Sequence, residues 1–166
     1  RTVLTLRPVS FKHEWAREKY SACIEALLHH YPGLCVLGDI IKFVAPSLRR
    51  QVGLDGGDTL TADRLRHMIP RSSCATTSWC ANHGDWCPVP RFHRHSAGSP
   101  CTDHSSMGSN MVFPGPQAKY SSAWCSMRRT LQEEVVIHDN VIRFAIFDLY
   151  IPLGDVYFIV RIVTEV

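Results

Sequence analysis

No stretch of the sequence approaches the ~20 consecutive apolar residues that a membrane-spanning helix needs. The N-terminus has no basic segment followed by an apolar core and a cleavage site, so no secretory signal is visible. Internal repeats are missing too, which argues against a solenoid or propeller. Charge of one sign is scarce. Eighteen Lys and Arg against fifteen Asp and Glu leave a formal charge of +3. That balance does not oppose a phosphate backbone, but it does not identify a nucleic-acid binder either. Seven cysteines are present, an odd count with no spacing of a secreted disulfide framework. A reducing, intracellular setting with free or metal-bound thiols follows. The sequence has 45% hydrophobic and 20% charged residues over 166 positions, enough to bury the core of one domain.

Composition divides the chain into three parts: 1–48, 49–91 and 92–166. In the first, Val9-Ser10-Phe11 is a strand candidate. Trp15 to His30 reads as a helix, with Ala16, Tyr20, Ile24, Leu27 and Leu28 on one face. Pro32-Gly33 ends it, and Leu34 to Leu37 reads as a buried strand. The second part is rich in Gly, Ser, Asp, Cys and Trp and offers one short helix, Thr61 to Met68, with Thr61 as its cap. In the third, a weak strand over Phe92 to Gly98 precedes a Ser/Gly/Pro loop from Ser99 to Pro116. A helix from Gln117 to Gln132 carries Tyr120, Trp124, Met127 and Leu131 on one stripe. Val135 to Ile137 reads as a buried strand, and Val156 to Val163 gives the longest strand signal of the chain. Strands alternating with helices predict an α/β fold around a parallel sheet.

Three constellations carry chemistry. In the first, Glu14 is read as an acid at a strand end, placed to accept from ribose hydroxyls; Trp15 can stack on a purine, and Asp39, followed by Ile40, can accept from an exocyclic amine. Core packing for Trp15 and helix capping for Asp39 are equally open. In the second, Cys101 follows Gly98-Ser99-Pro100 in a polar loop between a strand and a helix, where backbone amides favour a thiolate. In the third, Asp139 and Asn140 follow the strand at Val135, on the edge where open α/β sheets hold ligands, or else cap a turn.

In this order the segments resemble the cytosine-C5 DNA methyltransferases. Glu14-Trp15 and Gly38-Asp39-Ile40 are similar to the motifs that hold the adenosine of S-adenosylmethionine. Gly98-Ser99-Pro100-Cys101 resembles the Pro-Cys motif of the nucleophile, and His138-Asp139-Asn140-Val141 the Glu-Asn-Val motif. Leu153 to Val166 is similar to the strand that leads to the family's Gln-x-Arg-x-Arg motif. The resemblance implies a Rossmann-like methyltransferase sheet, S-adenosylmethionine as cofactor, and cytosine in DNA as substrate, flipped from the duplex. It also implies a nuclear setting in a eukaryote. Cys101 would be the nucleophile and Asp139 the acid, with Asn140 beside it and Pro100 against the cofactor. The chain departs from the pattern in several places. No glycine precedes Gly33, so the family's Phe-x-Gly-x-Gly turn is missing, and the acid is Asp where the family has Glu. No segment remains for target recognition, and an incomplete catalytic region is expected.

The middle part is longer than the family's connection at this point. Its Cys74, Cys80, His83 and Cys87, with His93 and His95 nearby, suit one tetrahedral zinc, and flexible unpaired thiols are the competing reading. Cys80, His83 and Cys87 are expected to converge, with Cys74 or His95 as fourth ligand. Glu14, Asp39, Cys101 and Asp139 are expected along the carboxyl edge of one parallel sheet. Two other functions compete: an inactive nucleic-acid-binding or regulatory remnant, and a hydrolase pairing Cys101 with His104 or His138.

Overall fold

A computed structural model describes residues 14–55, 62–71, 74–98, 118–141 and 143–163. The strand candidate at Val9, the cap at Thr61, and Pro100, Cys101 and His104 lie outside the described residues. The fold is mixed α/β. Its elements are β1 (Trp15–Arg17), α1 (Ser21–His30), β2 (Cys35–Leu37), a 3₁₀ turn (Ile40–Phe43), α2 (Pro46–Val52), α3 (Ala62–Arg71), β3 (Thr77–Cys80), β4 (Asp85–Pro88), β5 (Arg94–Gly98), α4 (Ala118–Leu131), β6 (Val135–Asp139) and α5 (Phe147–Leu153).

The strands form two sheets. In the first, β1 runs parallel to β2 through the crossover helix α1, with Trp15 opposite Cys35 and Arg17 opposite Leu37. The hairpin β3–β4 then adds antiparallel, with Leu37 opposite Cys80. The second sheet is the parallel pair β5–β6. The parallel pairs follow the strand–helix–strand alternation, while the hairpin makes the first sheet mixed.

Helix α4 organises the core. Ala118 and Ala123 enter one apolar cluster with Ile41, Leu48, Leu65 and Met68. Met127 joins Leu37, Phe43 and Cys80 in a second, and Trp124 and Cys125 join Ile69 and Leu153 in a third. The predicted stripe on this helix therefore faces inward as its spacing implies. At the end of α4, Arg128 is fully buried and ion-paired with Glu133, itself 3% exposed. Burial lowers the Arg128 guanidinium and raises the Glu133 carboxyl, each opposed by the other's charge.

Several expected elements differ. Trp15 to Arg17 is strand rather than the first turn of α1, which starts only at Ser21. Helical spacing from Ala16 to Leu28 is a local pattern, and pairing with β2 overrides it. Helix α2 straddles the boundary between the first and middle parts, and the middle part holds the β3–β4 hairpin besides the predicted helix α3. Ile146-Phe147 opens a short helix, α5, that the sequence pattern did not suggest. Val156 to Val163 has no strand pairing in the described residues. It lies against the molecule through Tyr157 and Ile159, which pack on the Trp124 cluster, while Phe158 is 94% and Ile162 83% exposed. The alternation reports which side chains turn inward, but a strand also needs a neighbour to bond.

Replacing Glu133 with Gln leaves the Arg128 cation buried without its counter-charge. We expect a loss of about 3–5 kcal/mol in urea-unfolding stability; a loss under ~1 kcal/mol would show that water reaches this pair.

Candidate metal centre and ligand pocket

Along β3 and β4 the side chains alternate between two faces. Ser78 pairs with Cys87 and Cys80 with Asp85 on one face; Trp79 pairs with Trp86 on the other. The register with β2 puts Leu37 opposite Cys80, so Cys35, two residues back, lies on the face of Cys80. Three thiols, one from β2 and two from the hairpin 45 residues or more further on, thus share one side of the sheet. The turn joining β3 to β4 supplies the fourth ligand. Gly84 has φ +60°, the left-handed conformation that costs glycine little, and its N–H donates to the Cys80 carbonyl at 3.0 Å. The chain folds back there, and His83 returns toward Cys87.

The ligand atoms of Cys35, Cys80, His83 and Cys87 all lie within 4.8 Å of one another and could hold a metal ion. The Cys35 and Cys80 sulfurs are 3.5 Å apart, and His83 Nδ1 is 3.1 Å from the Cys87 sulfur. A tetrahedral zinc site with Zn–S bonds near ~2.3 Å has sulfur–sulfur edges of roughly 3.8 Å. Burial would raise the Cys80 thiol, but the backbone N–H groups of His83 and Asn82 and the Cys35 thiol outweigh it and bring Cys80 below its ordinary value. Burial and the contact with Cys80 push Cys35 up to about 12. Donor N–H groups aimed at a sulfur favour its anionic form, the form that binds metal.

Three expected ligands converge, and the fourth is Cys35. Cys74 sits instead beside Thr130, with its sulfur 3.4 Å from the hydroxyl oxygen. His95 is packed between aromatic rings, stacking on Trp15 at 5.6 Å, and its Nε2 accepts from the Trp124 indole N–H at 3.1 Å. Cys35 escapes a reading by spacing because 45 residues separate it from Cys80, and only strand register joins them.

The opposite face of this sheet carries a pocket. A cavity of about 630 Å³ is lined by Glu18, Tyr20, Ile24, Asp39, Trp79 and Ala81, among others. It opens past the carboxyl ends of β1 and β2, where α/β sheets hold ligands. Asp39 follows β2, and its carboxylate accepts from the Ile41 N–H at 2.9 Å, capping the turn that Ile40 begins. Arg17 braces the same loop, donating to the Gly38 and Asp39 carbonyls at 2.9 and 3.1 Å while lying 3.2 Å over the Phe43 ring. Burial, eased by Asp39, lowers that guanidinium to about 9.

Glu14 and Trp15 are placed otherwise than expected. Glu14 precedes β1, so it stands at the opposite end of the parallel pair from Asp39. Trp15 does not line the cavity; it stacks against Phe92 and His95. The acid at the carboxyl end of β1 is Glu18, whose Oε1 accepts from the Lys19 and Tyr20 N–H groups at 2.8 and 3.0 Å. Sequence reasoning missed it by running the helix back to Trp15. Once Ser21 starts the helix, the acid at the strand end is Glu18.

Asp139 closes β6 in the second sheet, away from the β1–β2 ladder, and pairs in register with Gly98, the last residue of β5. Asn140 Oδ1 accepts from the Val141 N–H at 2.8 Å. His138 packs between Trp124 and Phe144, each with its ring centroid 4.9 Å away. The three expected edge residues that are described, Glu14, Asp39 and Asp139, therefore do not share one sheet edge. Asp39 and Asp139 each end a parallel strand, but in different sheets, and Glu14 lies at the far end of its own.

Comparison of the chain with family models, with curated proteins and with solved structures finds no match.

The His95 environment sets a pH dependence. Burial, and then the positive charges of Arg128 and Arg17, hold its imidazole down to about 3. An unfolded histidine titrates near ~6.5, so the native state disfavours the proton that the unfolded chain accepts. The contribution is complete above about pH 6.5 and is lost as pH falls from there toward 3. We expect His95→Gln to flatten the fall in unfolding free energy between pH 6.5 and 4; an unchanged slope would mean that His95 is protonated in place.

Proposed function

We propose that the chain is a catalytic region of a cytosine-C5 DNA methyltransferase, whose cofactor side and catalytic side stand on two separate sheets, with a metal-binding hairpin inserted before the catalytic half. One observation carries this reading: Gly98 and Asp139 lie side by side at the carboxyl ends of two parallel strands. Gly98 opens one of the segments that the resemblance makes catalytic, and Asp139 lies in the other. In this reading Cys101, three residues after Gly98 in the sequence, and Asp139 address the same flipped base.

The chemistry suits these groups. The Cys101 thiolate adds to C6 of cytosine, and the Asp139 carboxyl hydrogen-bonds ring N3 as negative charge develops there. Asn140 fixes the turn behind the acid, and Pro100 sets the approach of the nucleophile. S-adenosylmethionine supplies the methyl group when bound. Transfer of the C5 proton to water then re-forms the C5–C6 double bond and expels the Cys101 thiolate. In this reading the pocket beyond β1 and β2 takes the adenosine half of that cofactor: Glu18 takes the role expected of Glu14, Tyr20 that of Trp15, and Asp39 keeps its own, while Ile40 packs against the core and does not line the pocket.

The metal cluster adds a second part. Cys35, Cys80, His83 and Cys87 would hold the metal, and three thiolates with one imidazole would select zinc over harder ions. With four ligands from protein, the zinc would be structural rather than catalytic.

The carboxyl of Asp139 falls one methylene short of the family's Glu, and a misplacement near 1 Å can cost ~100-fold in rate. Slow chemistry is therefore the expectation. Incubation with S-adenosylmethionine and DNA carrying 5-fluorocytosine should leave a denaturant-stable protein–DNA adduct, because fluorine cannot depart from C5 as a proton does. Cys101→Ala should abolish it, and Asp139→Ala should lower its rate about 100-fold. Cofactor binding without any adduct would favour the non-catalytic remnant. An adduct that persists in Cys101→Ala would rule out the assigned nucleophile.

A further inference from the structure

The metal cluster and the pocket occupy opposite faces of the same short strand. Cys80 presents its sulfur to the cluster, while its two chain neighbours, Trp79 and Ala81, line the cavity. The β2 strand repeats the pattern: Cys35 is a ligand on one face, and Gly38 and Asp39 beyond its end line the cavity. Trp79 is 51% exposed and its chief ring contact is an edge-on approach to Trp86, itself 65% exposed, at 6.4 Å. Apolar burial therefore does little to hold this indole. Its position depends on the backbone of the hairpin, which meets β2 at the register pair Leu37 and Cys80 and is fastened by the Ala81 N–H to the Val36 carbonyl at 2.8 Å and by the Asn82 amide to the Pro32 and Leu34 carbonyls at 2.9 Å.

From this geometry we infer that metal at Cys35, Cys80, His83 and Cys87 fixes Trp79 as a wall of a nucleoside-binding pocket, so that metal and nucleoside bind cooperatively. The inference rests on the zinc site and cofactor pocket proposed above. The pocket recognises a planar base and a hydroxylated sugar. Trp79 and Tyr20 offer aromatic faces to the base, and Glu18 and Asp39 are the carboxylates within reach of hydroxyls. Metal binding crosslinks β2 to both hairpin strands and the turn between them. That removes conformational freedom which the nucleoside would otherwise have to remove itself. Two ligands that order the same segment assist one another, and the coupling is reciprocal. Trp79 is a positioning and specificity residue here, and zinc takes no part in the chemistry.

The test uses the whole chain labelled with 5-fluorotryptophan, whose fluorine spectrum resolves each indole. The Trp79 line is the one missing in Trp79→Phe. Zinc alone should shift and sharpen that line. Zinc should also tighten S-adenosylmethionine binding at least tenfold in calorimetry, and S-adenosylmethionine should tighten zinc by the same factor. Trp79→Ala, an exposed position whose change leaves the core intact, should weaken cofactor binding to the zinc-loaded protein about tenfold and make it indifferent to chelator. Cys87→Ala should mimic chelation. A Trp79 line and a cofactor affinity both unmoved by bound zinc would overturn the coupling while leaving the zinc site and the pocket in place. A zinc-sensitive Trp79 line with no cofactor binding in either state would overturn the nucleoside assignment along with the methyltransferase reading. No zinc binding at all would overturn the clamp at its source.

Discussion

The three residues of β2 carry constraints out of proportion to their number. Val36 and Leu37 are wholly buried, and the strand pairs in parallel with β1 on one side and antiparallel with β3 on the other. Each pairing is short, so the strand is fixed less by ladder hydrogen bonds than by what its side chains meet. Leu37 enters the cluster with Phe43, Cys80 and Met127, and Cys35 meets the hairpin thiols. A one-residue slip of β2 against β3 would turn Cys35 to the pocket face and dissolve the four-ligand cluster. Register, cluster and pocket therefore depend on one another.

The second half is built on α4. Its 14 residues reach all three apolar clusters and end in the buried Arg128–Glu133 pair. Tyr157 donates to the Arg128 carbonyl at 3.0 Å and so ties the extended segment after α5 to the end of that helix. The aromatic packing of Trp15, Phe92, His95, Trp124, His138 and Phe144 spans the space between the two sheets. This is where the chain puts residues that sequence spacing alone would assign to ligands. Trp15 and His95 have the chemistry for stacking and for metal, and the fold spends both on its interior.

How far the sequence could be read depended on whether a feature is local. The stripe Tyr120, Trp124, Met127 and Leu131 is a property of one helix, and its spacing identifies the helix and its inward face. The strands at Arg94 and Val135 were legible too, but the second, read as buried, instead exposes Val135 and Ile137. His83 and Cys87 lie within seven residues of Cys80, so three of the four cluster ligands could be named from spacing. Cys35 could not, because a strand pairing brings it in. Val156 to Val163 is the converse case: its alternation is real, with Tyr157 and Ile159 inward, but alternation does not supply a partner strand. Glu18 was missed through a boundary error of nearly two helical turns, from Trp15 to Ser21. Such an error exchanges one end of a strand for the other, and with it the acid that faces the pocket.

The identity of the fourth ligand distinguishes this account most sharply from a hairpin that merely happens to carry thiols. X-ray absorption at the zinc edge on the metal-loaded chain measures it directly. Three sulfurs near ~2.3 Å and one nitrogen near ~2.0 Å are predicted, falling to two sulfurs in Cys35→Ser and staying at three in Cys74→Ser. A sulfur count that drops in Cys74→Ser but not in Cys35→Ser, or a shell of light atoms alone, would contradict the joining of β2 to the hairpin through metal.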